Sequence, residues 1–542
     1  MGMIVVDNLG VSFSGNVLFE DVNLKFVPGE CYGLIGANGA GKSTFLKVMS
    51  GDVDSTSGAV HIPDGCRLSM LRQDHFAYES HTVLDTVLMG HKPLYAVYEE
   101  RMRLYDKAEL TDAEGERIGE LEALFGEMDG YVAESEAATM LADLGISTDK
   151  HDKPMAQLDG AEKVRVLLAQ ALFGDPDVLL LDEPTNQLDY LSVLWLEKFI
   201  MDFKNTVIVV SHDRHFLNKV CTYIADVDFG QIKLYPGNYD FWKQSSELIQ
   251  QQQQDKKQKD EKKIQELEAF VRRFSANASK SKQATSRKKM IEKLRPDEMP
   301  TSRRRSPFIH FKPFRSCGNR VLTVKNLSAS VGGDPVLKDV SFTLEKDEKL
   351  AIVGQNGVSK TALLDVLAGE LTPDAGLIEW GDTIRTSYFP KDNTDYFKNK
   401  MSIMDWLSSY QDSVDNEALR GFLGRMLFSG DDAKKNVQVL SGGEKARAMF
   451  SRMMMADGNV LLFDEPTNHL DLEAISAINT ALEVFDGGLI LTSHDFQLLN
   501  TVPNRIIEVS PYGMIDRRTD FDSYMQDERV AQIRQSWAVP VQ

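Results

Sequence analysis

The sequence lacks any run of about 18 uninterrupted apolar residues, so we expect no helix that spans a membrane. No charged segment followed by an apolar run opens the chain, and Val6 stands where a myristoylation signal needs Ser or Thr. The sequence has only 4 cysteines, and their wide spacing fits neither a zinc cluster nor a disulfide framework. These absences favour a cytoplasmic protein without membrane insertion.

The composition is typical of a folded protein, but the charge is unevenly distributed. With 542 residues, 42% of them hydrophobic and 26% charged, the chain is expected to form two large domains with connecting segments. Its formal net charge of −20 would repel a polyanionic partner. Residues 255–320, however, contain 20 Lys and Arg against 8 Asp and Glu. Any nucleic-acid contact is therefore expected in this basic segment.

Two motifs occur twice in the sequence. GANGAGKST at residues 36–44 recurs as GQNGVSKTA at residues 354–362. LLLDEPTNQLD at residues 179–189 recurs as LLFDEPTNHLD at residues 461–471. An internal repeat on this scale predicts two copies of one domain.

The first copy carries an insertion, because its two motifs lie further apart than those of the second copy. The alignment of the copies places the extra residues between positions 73 and 158. Their body, about residues 88–130, predicts two amphipathic helices broken near residues 110–112. These residues, which we name the acidic arm, include 11 acidic and 5 basic side chains.

Between the copies the composition changes to Gln, Lys, Arg and Ser. Apolar residues at helical spacing predict one long helix that ends near residue 274. Residues 275–282 form a predicted polar tip, and residues 285–294 a second helix that runs back, giving a helical hairpin. The predicted boundaries are residues 3–240 for domain 1, 241–320 for the linker, 321–525 for domain 2 and 526–542 for a short C-terminal tail.

Residues 36–44 fit the phosphate-loop pattern G-x-x-x-x-G-K-S/T. They follow an apolar strand at residues 31–35 and open a helix, which is the context that the pattern requires. Glycines allow backbone N–H groups to surround phosphates, Lys42 supplies a positive charge to the β- and γ-phosphates, and Ser43 supplies a ligand for Mg²⁺.

The repeated acidic motif closes an apolar strand with two carboxylates. In the first copy these are Asp182 and Glu183. One carboxylate directed at Mg²⁺ and one general base beside the γ-phosphate are what hydrolysis of a nucleoside triphosphate needs.

With LSGGE at residues 440–444, DEPTN in both copies, and SHD at residues 211–213 and 493–495, the sequence resembles the ABC ATPases. Two such domains on one chain, joined by a charged helical hairpin, more narrowly resemble the ABC-F proteins, which act on the ribosome. Over about residues 3–525, the resemblance implies an α/β fold with two ABC-type P-loop nucleotide-binding domains in tandem. It also implies ATP and Mg²⁺ as ligands.

The resemblance further implies two composite sites, each joining the phosphate loop of one copy to the signature motif of the other. The signature motif is LSGGE at residues 440–444 in the second copy and LDGAE at residues 158–162 in the first. In site one, Glu183 would orient or deprotonate the attacking water, and His212 would steady the γ-phosphate. Gln73 would have a catalytic role through Mg²⁺, with Ser43 and Asp182 as the other metal ligands. The implied nucleotide-binding residues of site one are Phe13, stacked on adenine, and Gly36, Asn38, Gly39, Gly41, Lys42, Ser43, Thr44, Ser441, Gly442 and Gly443.

Site two departs from the family pattern at four positions. Ser359 replaces the glycine before the lysine, Lys391 stands at the position of Gln73, and Val331 replaces the stacking aromatic. Asp159 stands at the position of the signature serine, where its charge would repel the γ-phosphate. We therefore predict one competent and one impaired site. The implied residues of site two are Gly354, Asn356, Gly357, Lys360, Thr361, Asp159 and Gly160 for nucleotide, Thr361 and Asp464 for metal, and Glu465 and His494 for catalysis.

The basic linker carries the predicted RNA contacts, because a polar basic tip suits a nucleic-acid backbone. The resemblance directs this element toward tRNA from the exit site of the ribosome, and it implies ribosomal RNA as a further partner. The acidic arm would then face a basic ribosomal protein. The predicted RNA-binding residues are Arg272, Arg273, Asn277, Lys280, Lys282 and Arg287.

The function implied is an ATP-gated translation factor, a monomer whose two domains close on each other. ATP closes the sandwich, the closed form binds the ribosome, and hydrolysis releases it. Three alternatives remain open: the ATPase subunit of a transporter with a separate membrane partner, a nucleotide-dependent scaffold, and a DNA repair ATPase. The sequence does not decide between stimulation, pausing, rescue and antibiotic protection, nor whether site two binds or hydrolyses nucleotide.

Overall fold

The computed structural model contains two α/β domains of the same design. It describes residues 3–13, 15–71, 78–107, 110–186, 188–274, 286–287, 289–292, 304–354, 357–411 and 415–538. Within these ranges, no helix combines the length and the apolar character that crossing a membrane requires.

The first domain is built on a six-stranded sheet with strand order β5-β6-β7-β3-β8-β9 and a three-stranded antiparallel sheet with order β2-β1-β4. The larger sheet is parallel except for β9 at its edge. The strands of the first domain are β1 (Ile4–Phe13), β2 (Asn16–Phe26), β3 (Cys31–Gly36), β4 (Ser57–His61), β5 (Leu68–Met70), β6 (Val178–Asp182), β7 (Thr206–Val210), β8 (Tyr223–Asp228) and β9 (Gln231–Pro236).

Two apolar cores hold these layers together. One lies between the two sheets and around α1, and the other lies between the larger sheet and the remaining helices. The central strands β6 and β7 are buried along their whole length, as their unbroken apolar sequences require. The helices are α1 (Lys42–Met49), α2 (Val83–Leu88), α3 (Lys92–Tyr105), α4 (Asp112–Glu127), α5 (Gly130–Asp143), α6 (Gly160–Leu172), α7 (Tyr190–Asp202) and α8 (Arg214–Val220).

The second domain repeats this arrangement, with sheets of order β14-β15-β16-β12-β17-β18 and β11-β10-β13. Its strands are β10 (Arg320–Val331), β11 (Asp334–Glu345), β12 (Lys349–Val353), β13 (Ala375–Trp380), β14 (Thr386–Phe389), β15 (Val460–Asp464), β16 (Gly488–Thr492), β17 (Arg505–Ser510) and β18 (Gly513–Arg517). Its helices, numbered after the linker helix α9 (Tyr239–Phe274), are α10 (Gly357–Ala368), α11 (Ile403–Ser408), α12 (Asn416–Arg425), α13 (Gly442–Ala456), α14 (Leu472–Glu483), α15 (Phe496–Thr501), α16 (Phe521–Gln526) and α17 (Glu528–Ala538).

The segment predicted as a tail, residues 526–542, contains a helix that packs on the second domain. Val530 of α17 is fully buried, and Arg534 Nε donates to Glu508 Oε2 at 2.7 Å. Val530, Ile533 and Trp537, apolar residues at helical spacing, account for this contact.

The acidic arm contains α3 and α4, which contact each other along their length. Thr111 begins α4 with a capping box, since its hydroxyl accepts from the Glu114 N–H and the Glu114 carboxylate accepts from the Thr111 N–H. Arg117 joins the two helices through Glu100, with an Nη2–Oε2 distance of 2.9 Å.

The linker begins with α9, which leaves the first domain as a single helix of 36 residues. Arg272 is exposed near its end, and Arg287 is half-buried in the helical residues 286–287. The side chain of Arg273 and all of Asn277, Lys280 and Lys282 lie outside the described residues.

Arg304, where the linker returns, contacts both domains. Its Nη2 lies 2.6 Å from Asp226 Oδ1 of the first domain, and its Nε lies 3.7 Å from Glu473 Oε1 of the second. The guanidinium also stacks on the Trp242 ring at 4.6 Å from the centroid. Burial raises the pKa of Asp226 to about 6, and Arg304 opposes this shift by favouring the charged carboxylate.

Aromatic rings and one buried arginine complete the contact between the domains. Tyr190 of the first domain stacks on Phe496 with centroids 5.7 Å apart and meets Phe521 edge-on at 5.0 Å. Arg214 Nη2 donates to the Leu472 carbonyl at 2.8 Å. The two domains are thus in direct packing contact, and the face between them is shielded from solvent at these residues.

Replacing Arg304 should weaken the joint between the domains. Arg304→Gln leaves the Asp226 and Glu473 carboxylates without their cation, and we expect the free energy of unfolding to fall by about 3 kcal/mol. Urea denaturation followed by tryptophan fluorescence measures this change. Arg305→Gln, at the neighbouring exposed position, is the matched control, and an equal loss in both variants would contradict the bridging role.

Candidate nucleotide-binding sites

A cavity of about 840 Å³ lies between the domains, in the size range of small-molecule sites. Both domains line it, so the structure brings the first phosphate loop and the second signature to one place. The predicted site-one residues on its wall are Phe13, Asn38, Gly39, Gly41, Lys42, Ser43, Thr44, Asp182, Glu183, His212, Ser441, Gly442 and Gly443. Gln73 lies outside the described residues.

The first phosphate loop depends on glycine in the left-handed region. Gly39 has φ +76° and Gly41 has φ +104°, and a Cβ at Gly41 would lie 3.2 Å from the Phe19 ring. With this backbone, α1 begins at Lys42, whose Nζ donates to the carbonyls of Gly36 at 2.8 Å and Ala37 at 3.3 Å. A buried ammonium at the start of a helix, beneath an open loop, is suited to phosphate.

The residues present also fit Mg²⁺. Ser43 donates to the Asp182 carboxylate, and burial raises the pKa of that carboxyl while this hydrogen bond opposes the shift. Both side chains line the cavity. Hydroxyl and carboxylate oxygens are the ligands that Mg²⁺ prefers, so Ser43 and Asp182 would hold it.

Glu183 and His212 form a pair at the carboxyl edge of the sheet. The backbone N–H of His212 donates to Glu183 Oε2 at 3.2 Å, and the ring Nε2 of His212 lies 3.5 Å from Glu183 Oε1. Burial raises the pKa of Glu183 to about 8, against the charge of Lys42. Burial, with Lys42, lowers the pKa of His212 to about 3. Among the described residues, Glu183 Oε1 and His212 Nδ1 have no hydrogen-bond partner, so both can bind a molecule in the cavity.

The second signature faces the first loop directly. Ser441 begins α13, and its hydroxyl accepts from the Glu444 N–H at 3.3 Å and donates to the Glu444 carboxylate. Asn38 Nδ2 donates to the His469 carbonyl at 3.4 Å across the interface. Phe13, at one side of the cavity, has an exposed fraction of 51% and is available for stacking on a planar ring.

The second phosphate loop has a different backbone. Its helix α10 begins at Gly357, whereas α1 begins at Lys42, the counterpart of Lys360. Ser359, at the position of Gly41, is fully buried inside this helix and donates to the Val336 carbonyl at 2.7 Å. A residue with a Cβ rarely adopts the left-handed conformation of Gly41, so the loop folds as an extra helical turn. Asn356 lies outside the described residues.

The catalytic groups of site two are paired with each other. Glu465 Oε1 lies 3.6 Å from Lys360 Nζ and 3.1 Å from His494 Nε2. Burial raises the pKa of Glu465, while Lys360 and then Lys391 oppose the shift. Asp464 accepts from the Thr492 hydroxyl at 2.6 Å, whereas the first copy has Val210 at that position.

In the first signature, Asp159 caps its helix as the serine does in the second, but its side chain is a carboxylate instead of a hydroxyl. Asp159 begins α6 and accepts from the Glu162 N–H at 2.7 Å, as Ser441 does for its own helix. An ionised carboxylate has no proton to donate to a phosphate, and it adds a negative charge. The cavity that holds site one is not lined by the described site-two residues Asp159, Gly160, Lys360 and Thr361.

Comparison with known proteins identifies the family. A family model described as "ABC transporter" matches residues 19–186 and 337–468, and a second model with the same description matches residues 225–311. The chain belongs to the ABC-F type of ABC ATPase. An uncharacterized ABC transporter ATP-binding protein of Bacillus subtilis, YkpA, is 53% identical over 97% of this chain and 98% of its own length. A probable ATP-binding protein of Escherichia coli O157:H7, YbiT, is 45% identical over 97% of this chain and 100% of its own length.

Solved structures show the same tandem fold. An RNase-L inhibitor matches with TM-score 0.62 and 19% identity, over 97% of this chain and 93% of that one. A complex of an archaeal ribosomal stalk protein with the archaeal ribosome recycling factor aABCE1 matches with TM-score 0.60 and 18% identity, over 97% and 92%. At these identities the likeness concerns the fold alone: the ABC-F chain and these structures share two P-loop domains in tandem.

Two features of the ABC-F site were missed from the sequence. Thr467, Asn468 and His469 line the site-one cavity from the opposite domain. They lie within the second copy of the repeated acidic motif, residues 461–471, so the repeat itself could have indicated them. The hydrogen bond from Thr492 to Asp464 was visible in the same alignment as a change from Val210.

The buried Glu183 should make the free energy of unfolding of the nucleotide-free ABC-F chain depend on pH. Because the pKa of this carboxyl is raised from its ordinary value of 4.5 to about 8, its contribution to stability is complete below about pH 4.5 and is lost as the pH rises to about 8. Glu183→Gln removes this loss. We expect the free energy of unfolding of the variant, relative to the unmutated chain, to rise by up to about 1.4 kcal/mol per pH unit in that window.

Urea denaturation in EDTA at several pH values measures this trend. Glu20→Gln, at an exposed position, is the matched control. A constant difference between Glu183→Gln and the unmutated chain across the window would contradict the burial of a protonated carboxyl at Glu183.

Proposed function

We propose that this ABC-F ATPase is a cytoplasmic translation factor that binds the ribosome near its exit site in the ATP-bound, closed form. Its linker contacts tRNA, and hydrolysis of ATP at site one releases the protein. The proposal rests above all on one arrangement: both domains of a single chain line site one, and a basic segment of the sequence joins them. The archaeal ribosome recycling factor with the same tandem fold supports this proposal.

Hydrolysis at site one follows from the chemistry of its residues. Lys42 and the N-terminus of α1 bind the phosphates, and Ser441 donates to a γ-phosphate oxygen from the opposite domain. In its ionised form, which the charge of Lys42 favours, Glu183 accepts a proton from the attacking water, and neutral His212 positions the γ-phosphate. When bound by Ser43 and Asp182, Mg²⁺ supplies charge neutralisation of the phosphate oxygens.

Site two does not hydrolyse ATP in this proposal. The positive charges of Lys360 and Lys391 favour the ionised form of its base Glu465, which makes that carboxylate a weaker base. Asp159 of the opposing signature lacks the proton that Ser441 donates at site one. Turnover then reports on site one alone, and the closed state lasts until that site hydrolyses its ATP.

The linker supplies the nucleic-acid contact, and the arm a protein contact. With 20 basic and 8 acidic side chains, residues 255–320 attract a polyanion that the rest of the chain repels. Arg272, Arg273, Asn277, Lys280, Lys282 and Arg287 are the proposed RNA contacts. The acidic arm, which displays an exposed Glu120 beside Arg117, would contact a basic ribosomal protein, and the chain would act as a monomer.

The proposed asymmetry predicts unequal effects of two identical substitutions. Glu183→Gln removes the general base of site one, and we expect steady-state ATP turnover to fall by about 100-fold or more. Glu465→Gln, its matched control in site two, should leave turnover within about twofold. Phosphate release by the full chain measures both rates, and equal losses would rule out the asymmetry.

Ribosome co-sedimentation tests the translation-factor role. Glu183→Gln should pellet with ribosomes in ATP but not in ADP or without nucleotide, because it closes on ATP and is not released. Each phosphate contact of the linker should add about −0.7 to −0.9 to the slope of log affinity against log salt. Arg272→Gln with Lys280→Gln should therefore weaken retention and flatten the slope.

Lys25→Gln, at an exposed position of the first domain, is the charge-matched control and should leave retention unchanged. Absence of retention with every nucleotide, together with intact ATP turnover in the unmutated chain, would refute ribosome binding and favour the transporter or DNA repair alternatives.

A further inference from the structure

Three side chains, which we name the linker clasp, join the two ends of the linker to the first domain. Trp242, near the start of α9, donates from Nε1 to Asp226 Oδ2 at 3.3 Å. Arg304, where the linker returns, has its Nη2 2.6 Å from Asp226 Oδ1, and its guanidinium lies 4.6 Å from the centroid of the Trp242 ring. The outgoing and returning ends of the linker therefore meet on one carboxylate of β8.

The second domain contains an equivalent clasp, which is built from its C-terminal helices. Glu508 and Tyr524 stand at the positions of Asp226 and Trp242 in the repeat. The Tyr524 O–H donates to Glu508 Oε2 at 2.7 Å, and Arg534 Nε of α17 lies 2.7 Å from the same oxygen. The arginine is thus supplied by the linker in the first domain and by the C-terminal helix in the second.

The two clasps differ in what lies across the domain interface. Arg304 Nε lies 3.7 Å from Glu473 Oε1 in the second domain. At the position of Glu473, the first domain has Leu191, which lines a small cavity together with Arg534. A leucine has no charge to pair with an arginine, and Asp189, also at this cavity, is paired within its own domain. Across the part of the chain that the structure describes, an ion pair therefore joins the linker clasp to the opposite domain, and none joins the C-terminal clasp.

Glu473 connects the linker clasp to site one. It lies in the first turn of α14, three residues after the segment 467–470 that lines the site-one cavity from the second domain. A second linker residue, Ser306, donates from its hydroxyl to the Glu473 carbonyl at 3.5 Å. Burial raises the pKa of Glu473, while Arg304 and, more weakly, Lys42 of the first phosphate loop oppose the shift. The charge of Glu473 thus acts on both the linker and the phosphate loop.

We propose that Arg304 is a positioning residue that couples the linker to ATP binding at site one. Closure brings Glu473 against Arg304, so this contact favours the closed site while the clasp holds the linker in place. By thermodynamic reciprocity, ATP at site one fixes the base of the linker, and a partner that holds the linker there strengthens ATP binding. Site two lacks this coupling because Leu191 takes the place of Glu473. The inference rests on the proposal that ATP closes the two domains at site one.

A double-mutant cycle on ATP affinity tests the coupling without any ribosome. All chains carry Glu183→Gln, so that ATP persists, and Lys360→Ala, so that only site one is counted. Arg304→Gln and Glu473→Gln should each weaken binding of ATP with Mg²⁺ by about threefold to tenfold, and the double variant should lose no more than either single variant. Equilibrium dialysis with the full chain measures these affinities.

Arg534→Gln is the matched control, because it removes the equivalent arginine from the C-terminal clasp. Since both arginine variants leave a carboxylate without its cation, both lose stability, but Arg534→Gln should keep its ATP affinity within about twofold of the parent chain. An equal loss of ATP affinity in Arg304→Gln and Arg534→Gln would show general destabilisation and would overturn the inference.

Hydrogen exchange followed by mass spectrometry measures the effect of ATP on the linker. Saturating ATP should slow amide exchange in residues 239–249 and 304–311 of the parent chain by at least about threefold, and should not slow it in Arg304→Gln or Glu473→Gln. Because each chain is compared with itself, with and without ATP, a uniform loss of stability does not produce this difference.

Each of three further results would overturn the inference: unchanged ATP affinity in Arg304→Gln, additive losses in the double variant, or ATP protection of the linker base that persists in both single variants. A parent chain that binds no ATP would refute the proposed function and this inference with it. Ribosome retention of Glu183→Gln is measured separately, so failure of the coupling is distinguishable from failure of the proposed function.

Discussion

The contact between the two domains is the constraint on which the rest of the structure depends. A phosphate loop surrounds its phosphates from one side only, and the hydroxyl that completes site one, on Ser441, belongs to the other domain. The contact is held by groups that are costly to separate, among them the guanidinium of Arg304 between Asp226 and Glu473 and the stacked rings of Tyr190 and Phe496. Closure and completion of the site are therefore one event.

The two sites differ because one backbone conformation is open to glycine and disfavoured with a side chain. Gly41 lies at φ +104° and allows the first loop to open above Lys42. Ser359 is helical at the same place, and its hydroxyl is held by the Val336 carbonyl. Lys360 Nζ lies 3.6 Å from Glu465 Oε1. One Cβ thus accompanies a change in the backbone of the loop before the lysine.

Charge gives the two ends of the molecule different tasks. Residues outside 255–320 carry a net charge of −32, and residues 255–320 carry +12, so the whole chain has a net charge of −20. Since long-range repulsion opposes any approach of the domains to a polyanion, only the linker can make that contact.

The sequence by itself determined the tandem α/β fold, the phosphate loop at Lys42 and the carboxylates Asp182 and Glu183, while its resemblance to the ABC ATPases implied the pairing of Ser441 with the first loop. These features are fixed by short motifs whose chemistry permits few substitutes. Tertiary structure alone decided that Glu183 and His212 are buried enough to have strongly shifted pKa values, that Glu465 is paired with Lys360, and that Arg304 of the linker lies between Asp226 and Glu473. Those properties depend on which groups share a desolvated space, and spacing along a chain does not specify that.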